Sequence, residues 1–574
     1  MTTRVRAPEL RGRGWLNTGG AAYSMAELRG RFVLLDFWTF CCVNCLHVIE
    51  ELRPVEERWA DELVVVGVHS PKFEHEADPE ALAAAVERYA VHHPVLDDPD
   101  LVTWQAYTAR AWPTLVLVDP EGYVVAQYAG EGHAHAIDRL LEELVDEHRA
   151  KGTLQPGDSP YVPPEVEPTT LRFPADAAPL EGGHVLVADA GHDRVVELDG
   201  VDGREVRSWD GFKEPNGICV VGRTAYVADT VHHQLKSIDL ETGDVAVLAG
   251  TGEQWMQGDS TDRLSSPWAV AWWQEKVWIA MAGIHQLWSY DPATGAVEVA
   301  GGTTNEGLLD GPLRQAWFAQ TSGLAVDGDR LWLADSETSS LRHVEGGEVH
   351  TVIGEGLFDF GFRDGPAGQA LLQHPLGVAV LPDRSVVVCD TYNGAIRRYE
   401  PATGEVTTLA SGLAEPSAAY VDFPDLVVVE SSGHRLTRVP LGGSARHTDG
   451  FSHTTQRPVT EVAAELELVV AFVPPPGQKV DDRFGPPSQL MVEATPPALL
   501  REGEGRGTDL TRRLVLDTSV GEGVLHVAAR AASCDVDAEN AACHVHQQDW
   551  GVPIRVVTDA MAVLELPLGD SSAV

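Results

Sequence analysis

Three cysteines lie within five residues near the N-terminus, where Cys41, Cys42 and Cys45 belong to the segment CCVNC. Cys42 and Cys45 have the CxxC spacing, which allows a disulfide within one helical turn. A continuous apolar run ends at Trp38 and apolar residues at helical spacing follow Cys45, so a buried strand should turn into a helix here. The free N–H groups and dipole at the start of that helix favour a thiolate at Cys42. The pattern predicts dithiol chemistry, in which Cys42 attacks a disulfide and Cys45 resolves the mixed disulfide.

The elements that would position these thiols alternate strand and helix over about 150 residues. Continuous β-rich runs at 31–38 and 62–70 indicate buried strands, and 114–128 contains two strands joined by a Pro-Glu-Gly turn. Apolar residues at helical spacing follow each of them. We therefore predict an α/β domain over residues 1–151, followed by a Pro-rich linker at 152–170.

The thiol segment DFWTFCCVNCLHV resembles the active-site segment of the thioredoxin superfamily. The resemblance implies that Asp36 is a buried acid beneath the disulfide, where it would accept the proton of Cys45. Cys41 stands where the family usually has Trp, and we expect it to help position the substrate together with Trp38.

A second segment, RAWPTLVLVDPEG, resembles the family's cis-proline loop. This likeness implies that Pro113 lies beside the disulfide and aligns the substrate backbone, with Trp112 next to it as a further positioning residue. The additional segment 71–110 before this loop resembles the TlpA and AhpC/TSA branch of the superfamily.

Three other interpretations of the thiol segment remain open. Cys41 and His47 could complete a metal site with the CxxC pair. A purely structural thioredoxin fold is a second possibility, because Asn44 replaces the family's usual Pro. A peroxidase is the third, since Thr39 begins a TxxC pattern, although Leu35 replaces the Pro expected before it.

A strand-turn-strand phrase recurs six times beyond the linker, at a period of 40–55 residues. Its equivalent positions are Asp189, Asp229, Met281, Asp335, Asp390 and Glu430. Such a period, with about four short strands per repeat, indicates propeller blades. We predict a six-bladed ring over residues 165–448, and the phrase resembles the NHL repeat. The repeat acids should bond backbone in the connections between blades, although Met281 and Glu430 depart from the pattern.

Three long loops interrupt the repeats, around Gly258-Asp259, Asp310-Gly311 and Asp364-Gly365. They mix acids with aromatic or large apolar side chains, and loops on a rigid scaffold often carry binding function. We predict that this face of the propeller binds a basic protein or peptide.

The last region, 455–574, contains about six strand-like runs and is predicted to be a small β-sandwich-like domain. Cys534 and Cys543 flank a turn within it and form a possible second redox pair. The arrangement resembles the amino-terminal domain of DsbD-type transporters, which would imply an internal relay to Cys42 and Cys45. A structural bridge or none is the alternative, and His544 and His546 also permit a metal.

The composition limits the possible partners. Acidic residues number 86 against 42 basic ones, a formal net charge of −44, which disfavours nucleic acid and anionic membranes. No run approaches the roughly 18 apolar residues of a membrane span, and no apolar segment follows the charged N-terminus. We expect a cytoplasmic location, and seven cysteines in 574 residues do not make a disulfide scaffold.

Taken together, the chain resembles NHL-repeat-containing thioredoxin-domain proteins. The resemblance implies a multidomain architecture: an α/β thioredoxin-like domain, an all-β six-bladed propeller and a small β-sandwich-like domain. We expect a thiol-disulfide oxidoreductase without cofactor or metal. Its partners would be a protein with a thiol or disulfide as substrate and a second protein as electron donor. The alternative is a non-catalytic propeller scaffold with a degenerate thioredoxin-like domain.

Overall fold

The computed structural model describes residues 5–256, 260–357, 359–442, 448–454, 459–474, 478–480, 486–535, 543–558 and 560–568. Two compact units make up the chain. The first combines Met1–Glu165 with Gln456–Val574, and the second is Val166–Thr455. Among the described residues, no helix is long and apolar enough to cross a membrane.

The N-terminal part of the first unit is a seven-stranded sheet flanked by helices. The strands are β1 (Val5–Arg6), β2 (Gly14–Leu16), β3 (Phe32–Trp38), β4 (Leu63–His69), β5 (Val95–Asp97), β6 (Thr114–Val118) and β7 (Tyr123–Ala129), in the sheet order β1-β7-β6-β3-β4-β5-β2. The helices are α1 (Val43–Arg58), α2 (Pro79–Arg88), α3 (Val102–Ala106) and α4 (Ala134–Lys151).

Strand β3 lies at the centre of this sheet, and all seven of its residues are buried. It runs parallel to β4 and antiparallel to β6. Its side chains alternate between two apolar cores: Phe32 and Leu34 pack with α1 and α4 residues, whereas Val33 and Leu35 pack on the opposite face. The predicted α/β thioredoxin-like fold is confirmed.

The second unit is a six-bladed β-propeller, as the repeats predict. The first blade comprises Pro174–Pro179, Val185–Asp189, Arg194–Leu198 and Glu205–Trp209. The second comprises Pro215–Val221, Thr224–Asp229, Gln234–Asp239 and Val245–Ala249. The third comprises Pro267–Trp273, Lys276–Met281, Gln286–Asp291 and Ala296–Gly301. The fourth blade comprises Thr321–Asp327, Arg330–Asp335, Ser340–Glu345 and Glu348–Ile353. The fifth comprises Gly377–Val380, Val386–Asp390, Ala395–Glu400 and Glu405–Ser411. The sixth comprises Pro416–Asp422, Asp425–Glu430 and Arg435–Pro440.

Two of the long loops extend blades at an edge. Gly311–Pro312 pairs with the last strand of the fourth blade, and Gly365–Pro366 with that of the fifth. Asp359–Arg363 forms a separate two-stranded sheet with Asp449–Thr454. The predicted loop position Gly258-Asp259 lies outside the described residues.

The repeat acids accept backbone N–H groups from the connections that enter their blades, which confirms the prediction. Their donors are the amides of Arg172 for Asp189, Lys213 for Asp229, Ala319 for Asp335, Gln373 for Asp390 and Ala414 for Glu430, at 2.6–3.0 Å. Glu430 thus accepts the same kind of backbone hydrogen bond as the aspartates of the other blades. Met281 is fully buried and packs in an apolar cluster with Trp288. Trp288 occupies the position at which the neighbouring blades carry a cationic side chain.

A second contact joins each of several blades to the next. A side chain in the turn between the second and third strands accepts a backbone N–H of the following blade: Asp193 from Glu214, His233 from Ser266, His285 from Gln320 and Ser339 from His374, at 2.9–3.1 Å. His434 accepts from Phe173 at 3.0 Å and so joins the last blade to the first. The ring therefore closes by side-chain contacts.

The C-terminal part of the first unit is β-rich, in agreement with the prediction. Its strands are Thr460–Phe472, Gln478–Val480, Ser488–Thr495, Leu500–Glu502, Gly505–Gly507, Thr511–Leu516, Glu522–Asp535, Cys543–Val556 and Met561–Leu568. They belong to one hydrogen-bonded sheet around one apolar core.

Candidate functional site

Cys42 and Cys45 lie where the sequence predicts, at the junction of β3 and α1. Cys42 is the N-cap of α1 and is partly exposed, whereas Cys45 in its first turn is buried. Both are free thiols. Burial raises the pKa of the Cys45 thiol well above its usual value, and the neighbouring Cys42 side chain raises it further. The arrangement makes Cys42 the accessible thiol and keeps Cys45 in its protonated form.

Asp36 is on β3, with no exposed surface. Burial raises the pKa of its carboxyl to about 7, and the electrostatic effect of nearby His93 opposes that rise. Neither carboxylate oxygen has a hydrogen-bond partner among the described residues. A carboxyl with this pKa can hold or release a proton near neutral pH.

The loop before β6 reaches the same end of the sheet. Thr114 pairs with Phe37 across the β3–β6 ladder, so Pro113 precedes β6 where β3 ends before the thiols. The peptide bond between Trp112 and Pro113 is cis. The Trp112 indole N–H donates to the Ser70 carbonyl at 2.8 Å, which fixes the ring beside the loop.

The predicted substrate-positioning residues differ in exposure. Trp38 and Cys41 are buried, so neither offers its side chain to solvent, whereas Trp112 is half-buried. The centroids of the Trp38 and His69 rings are 5.3 Å apart, so the two rings pack against each other. Burial lowers the pKa of His69 to about 3, and this histidine stays neutral.

The structure adds Glu76, which the sequence analysis missed. Its buried carboxylate accepts the Thr39 hydroxyl at 2.5 Å and the Cys41 N–H at 2.8 Å, and its other oxygen accepts the N–H groups of Lys72 and Phe73. Glu76 therefore ties the segment before the thiols to the additional segment 71–110. Nothing in the local sequence marks this acid, because the loop that it holds is far away in the chain.

Three acids around α1 were also missed, and two of them lie beside His47 and His93. His47 Nδ1 lies 2.5 Å from Glu131 Oε2, and His93 Nδ1 lies 2.8 Å from Glu56 Oε1. Burial, and to a lesser extent Glu131, raise the pKa of Glu51 to about 7. Glu51 thus joins Asp36 as a carboxyl that can exchange a proton near neutral pH.

The metal interpretation of the CxxC pair requires further ligand atoms close to the two thiols. Among the described residues, no group of candidate ligand atoms within 4.8 Å of one another includes Cys42, Cys45 or His47. Asp119, Glu121 and His148 do form such a group. The Asp119 carboxylate accepts two backbone N–H groups of its own turn, and His148 Nδ1 contacts the Thr153 hydroxyl. These side chains therefore have hydrogen-bond partners within the protein.

The remaining cysteines fall into two kinds. Cys219 and Cys389 are free thiols in propeller strands, and burial raises the pKa of both, that of Cys219 to about 11. Cys534 is buried and disulfide-bonded, and the residue opposite it in strand register is Cys543. A redox role for this second pair stays a prediction. The side chain of His544 lies outside the described residues.

The C-terminal sheet reaches the cis-proline loop. Ala111 is buried in the apolar core of that sheet, and Gly130, whose N–H donates to the Pro113 carbonyl, lies beside the Gln548 side chain. Residues from the other end of the chain thus pack against Ala111 and beside Gly130, two neighbours of Pro113.

Two of the loop acids on the propeller form internal ion pairs, although the Asp310 side chain remains 44% exposed. Asp310 bonds the buried Arg342 at 3.0 Å and the Thr351 hydroxyl at 2.7 Å. Asp364 is itself buried and bonds Arg397. Each arginine also pairs with its repeat acid, and a buried guanidinium carries more donors than one carboxylate can accept.

Comparison with known proteins agrees with this architecture. Residues 30–124 match the thioredoxin-like family model, and residues 372–399 match the NHL repeat model. The chain thus carries a thioredoxin-like domain and, within its propeller, an NHL repeat.

Its curated homologues include NHL repeat-containing protein 2 of Gallus gallus, 33% identical over 476 residues, with 73% of this chain and 65% of that protein covered. Protein SUPPRESSOR OF QUENCHING 1, chloroplastic, of Arabidopsis thaliana is 35% identical over 442 residues, covering 69% and 41%. Thiol-disulfide oxidoreductase YkuV of Bacillus subtilis is 24% identical over 148 residues, covering 26% and 99%. The chain spans less than two thirds of the length of the first two relatives.

Proposed function

We propose that the chain is a thiol-disulfide oxidoreductase that acts on protein substrates through Cys42 and Cys45. The observation that carries this is the pairing of an accessible thiol at a helix N-cap with a buried thiol whose pKa is raised. The likeness to thiol-disulfide oxidoreductase YkuV supports the same chemistry.

The reaction begins with the Cys42 thiolate. It attacks one sulfur of a substrate disulfide, so that a Cys42–substrate bond forms, the substrate bond breaks and one substrate thiolate leaves and takes up a proton. Asp36 then accepts the Cys45 proton, and the Cys45 sulfur attacks Cys42. The substrate leaves as a dithiol, reduced by two electrons, and the protein is oxidised to the Cys42–Cys45 disulfide. A dithiol electron-donor protein restores the reduced form by the same exchange in reverse.

The propeller acts as the recognition module in this proposal. Propellers present loops on a rigid ring, and the loops around Asp310-Gly311 and Asp364-Gly365 are held by the internal ion pairs described above. The apolar side chains of these loops carry the contact with a protein partner. Pro113 aligns the substrate backbone beside Cys42.

The test compares thiol reactivity in the full chain. The reduced protein should alkylate at Cys42 faster than at Cys219 and Cys389, and mild oxidation should bridge Cys42 to Cys45. A Cys45→Ser variant should trap protein substrates as mixed disulfides, and the matched Cys42→Ser variant should trap none. Equal alkylation of all free thiols, with no bridge after oxidation, would contradict the proposal and favour the non-catalytic scaffold.

A further inference from the structure

The inference begins at Gly67, which lies opposite Asp36 in the parallel pairing of β3 and β4. Paired residues of parallel strands present their side chains on the same face, so the space above Gly67 adjoins the Asp36 carboxyl. A Cβ atom at Gly67 would lie 2.9 Å from Trp38 Nε1 and 3.0 Å from His93 Nε2. Two ring nitrogens therefore converge on the space that a side chain at this position would fill.

The polar atoms around this space have no hydrogen-bond partners among the described residues. They are both carboxylate oxygens of Asp36, Nε1 of Trp38 and Nε2 of His93. All three residues are buried. Buried polar groups that converge without partners are typical of sites for an ordered water molecule, which needs two to four of them. The group contains a donor at Trp38 and acceptors at Asp36, which suits water.

His93 links this space to the protein surface. Its other ring nitrogen, Nδ1, lies 2.8 Å from Glu56 Oε1, and the Glu56 side chain is 20% exposed. An imidazole can accept a proton at one nitrogen and release another from the second. His93 and Glu56 thus stand between the buried Asp36 and solvent.

We propose that a water molecule bound between Asp36, Trp38 and His93 forms, with Glu56, the route by which the proton of Cys45 leaves the site. The proposal rests on the function proposed above and names residues that it does not use. Asp36 passes the Cys45 proton to the water, and the water passes a proton to His93 Nε2. His93 releases its Nδ1 proton to Glu56, which gives it to solvent. No electron moves, and His93 gains one proton at Nε2 as it loses one at Nδ1.

Other titratable groups surround this route. Glu51 and Cys45 on α1 influence Asp36 electrostatically, and His69 packs against the Trp38 ring. His69 stays neutral because burial lowers its pKa to about 3. His92, next to His93 in sequence, is more exposed and its Nδ1 lies 3.3 Å from Arg53 Nη1, which makes it a matched control.

The experiment follows the two disulfide-exchange steps separately in the full chain. Reduced protein is mixed with excess oxidised glutathione between pH 5 and 9. Samples are quenched at intervals, and mass spectrometry measures the fraction of protein in each disulfide form. The mixed disulfide at Cys42 appears first, and the Cys42–Cys45 disulfide follows. We expect His93→Gln and Glu56→Gln to slow the second step about 10-fold or more at pH 7 without slowing the first. His92→Gln should behave as the wild type.

A second variant tests the water directly. Gly67→Ala places a methyl group in the space and should slow the second step as His93→Gln does. Added imidazole should speed that step in a His93→Gly variant, which a purely structural role would not produce. Wild-type second-step rates in His93→Gln, or equal slowing of both steps, would overturn the route and leave the oxidoreductase intact. A wild-type protein that never forms the Cys42–Cys45 disulfide would overturn both.

Discussion

The carboxylate of Glu76 accepts the backbone N–H of Cys41, although the two residues lie 35 positions apart in the chain. Together with the Thr39, Lys72 and Phe73 donors, this bond gives Glu76 four donors and fixes the segment that precedes Cys42.

Replacing Glu76 with Gln should loosen this segment. An amide has one acceptor oxygen, so two of the four donors lose their partner, at a cost of about 3 kcal/mol. We expect the Cys41 amide to exchange with solvent roughly 100-fold faster, measured by hydrogen exchange with mass spectrometry. The exposed Glu80→Gln in α2 is the control, and unchanged exchange at Cys41 would show that Glu76 does not hold the loop.

Asp36 should make stability depend on pH. Because the pKa of its carboxyl is about 7 in the folded protein, the unfolded chain releases this proton at lower pH than the folded one. The resulting stabilisation is complete below pH ~4 and is lost as the pH rises to ~7, by about 4 kcal/mol. Asp36→Asn should lack this loss.

The comparison is made by hydrogen exchange of the β3 amides at pH 5 and pH 8, after correction for the intrinsic exchange rate. Asp146→Asn, at a side chain that is 82% exposed, should keep the wild-type dependence. The same pH dependence in Asp36→Asn and wild type would contradict the assignment.

Ring closure should depend on His434. His434→Ala removes the acceptor of the Phe173 N–H and places Ala at a positive φ of 54°, which should cost roughly 1–3 kcal/mol. His434→Asn keeps a side-chain acceptor and tolerates this backbone conformation, so it should be closer to wild type. Calorimetry of the full chain measures the propeller transition, and equal transition temperatures in both variants and wild type would refute the role.

The third blade should reject the acid that the other blades carry. Met281→Asp alone buries a charge beside Trp288 and should destabilise the propeller by about 3–5 kcal/mol. Adding Trp288→Arg restores the cation found at this position in two later blades, Arg342 and Arg397, and should recover part of that loss. A double-mutant cycle from urea titrations gives the coupling, and a coupling of zero would mean that the two positions are independent.

Partner recognition should depend on exposed apolar side chains of the long loops. Met256 and Leu309 are 47% and 37% exposed. Replacing both with Asp should reduce the amount of protein trapped by the Cys45→Ser variant several-fold without unfolding the ring. Phe423→Asp, at a 79% exposed side chain in a hairpin turn of the sixth blade, is the control. Undiminished trapping would place recognition elsewhere.

Sequence patterns predicted the features that depend on short stretches of chain. The strand before Cys42 and the helix after it are visible as apolar periodicity, and the blades as a repeated phrase. Glu76, His93 and Glu56 could not be predicted, because their partners lie more than 30 residues away and their own neighbours carry no pattern. The internal ion pairs of Asp310 and Asp364 could not be predicted for the same reason, because the arginines that they bond come from other strands.

The burial of Ala111 in the core of the C-terminal sheet affects the order of events during synthesis. The first unit is built from Met1–Glu165 and Gln456–Val574, with the whole propeller between them. At about 5–20 residues per second, a ribosome takes roughly 15–60 s to translate the propeller. During that interval the thioredoxin-like fold can already be complete while the flank of its cis-proline loop is still uncovered. A nascent chain at this stage therefore exposes Ala111 and the loop beside it, which the finished protein covers.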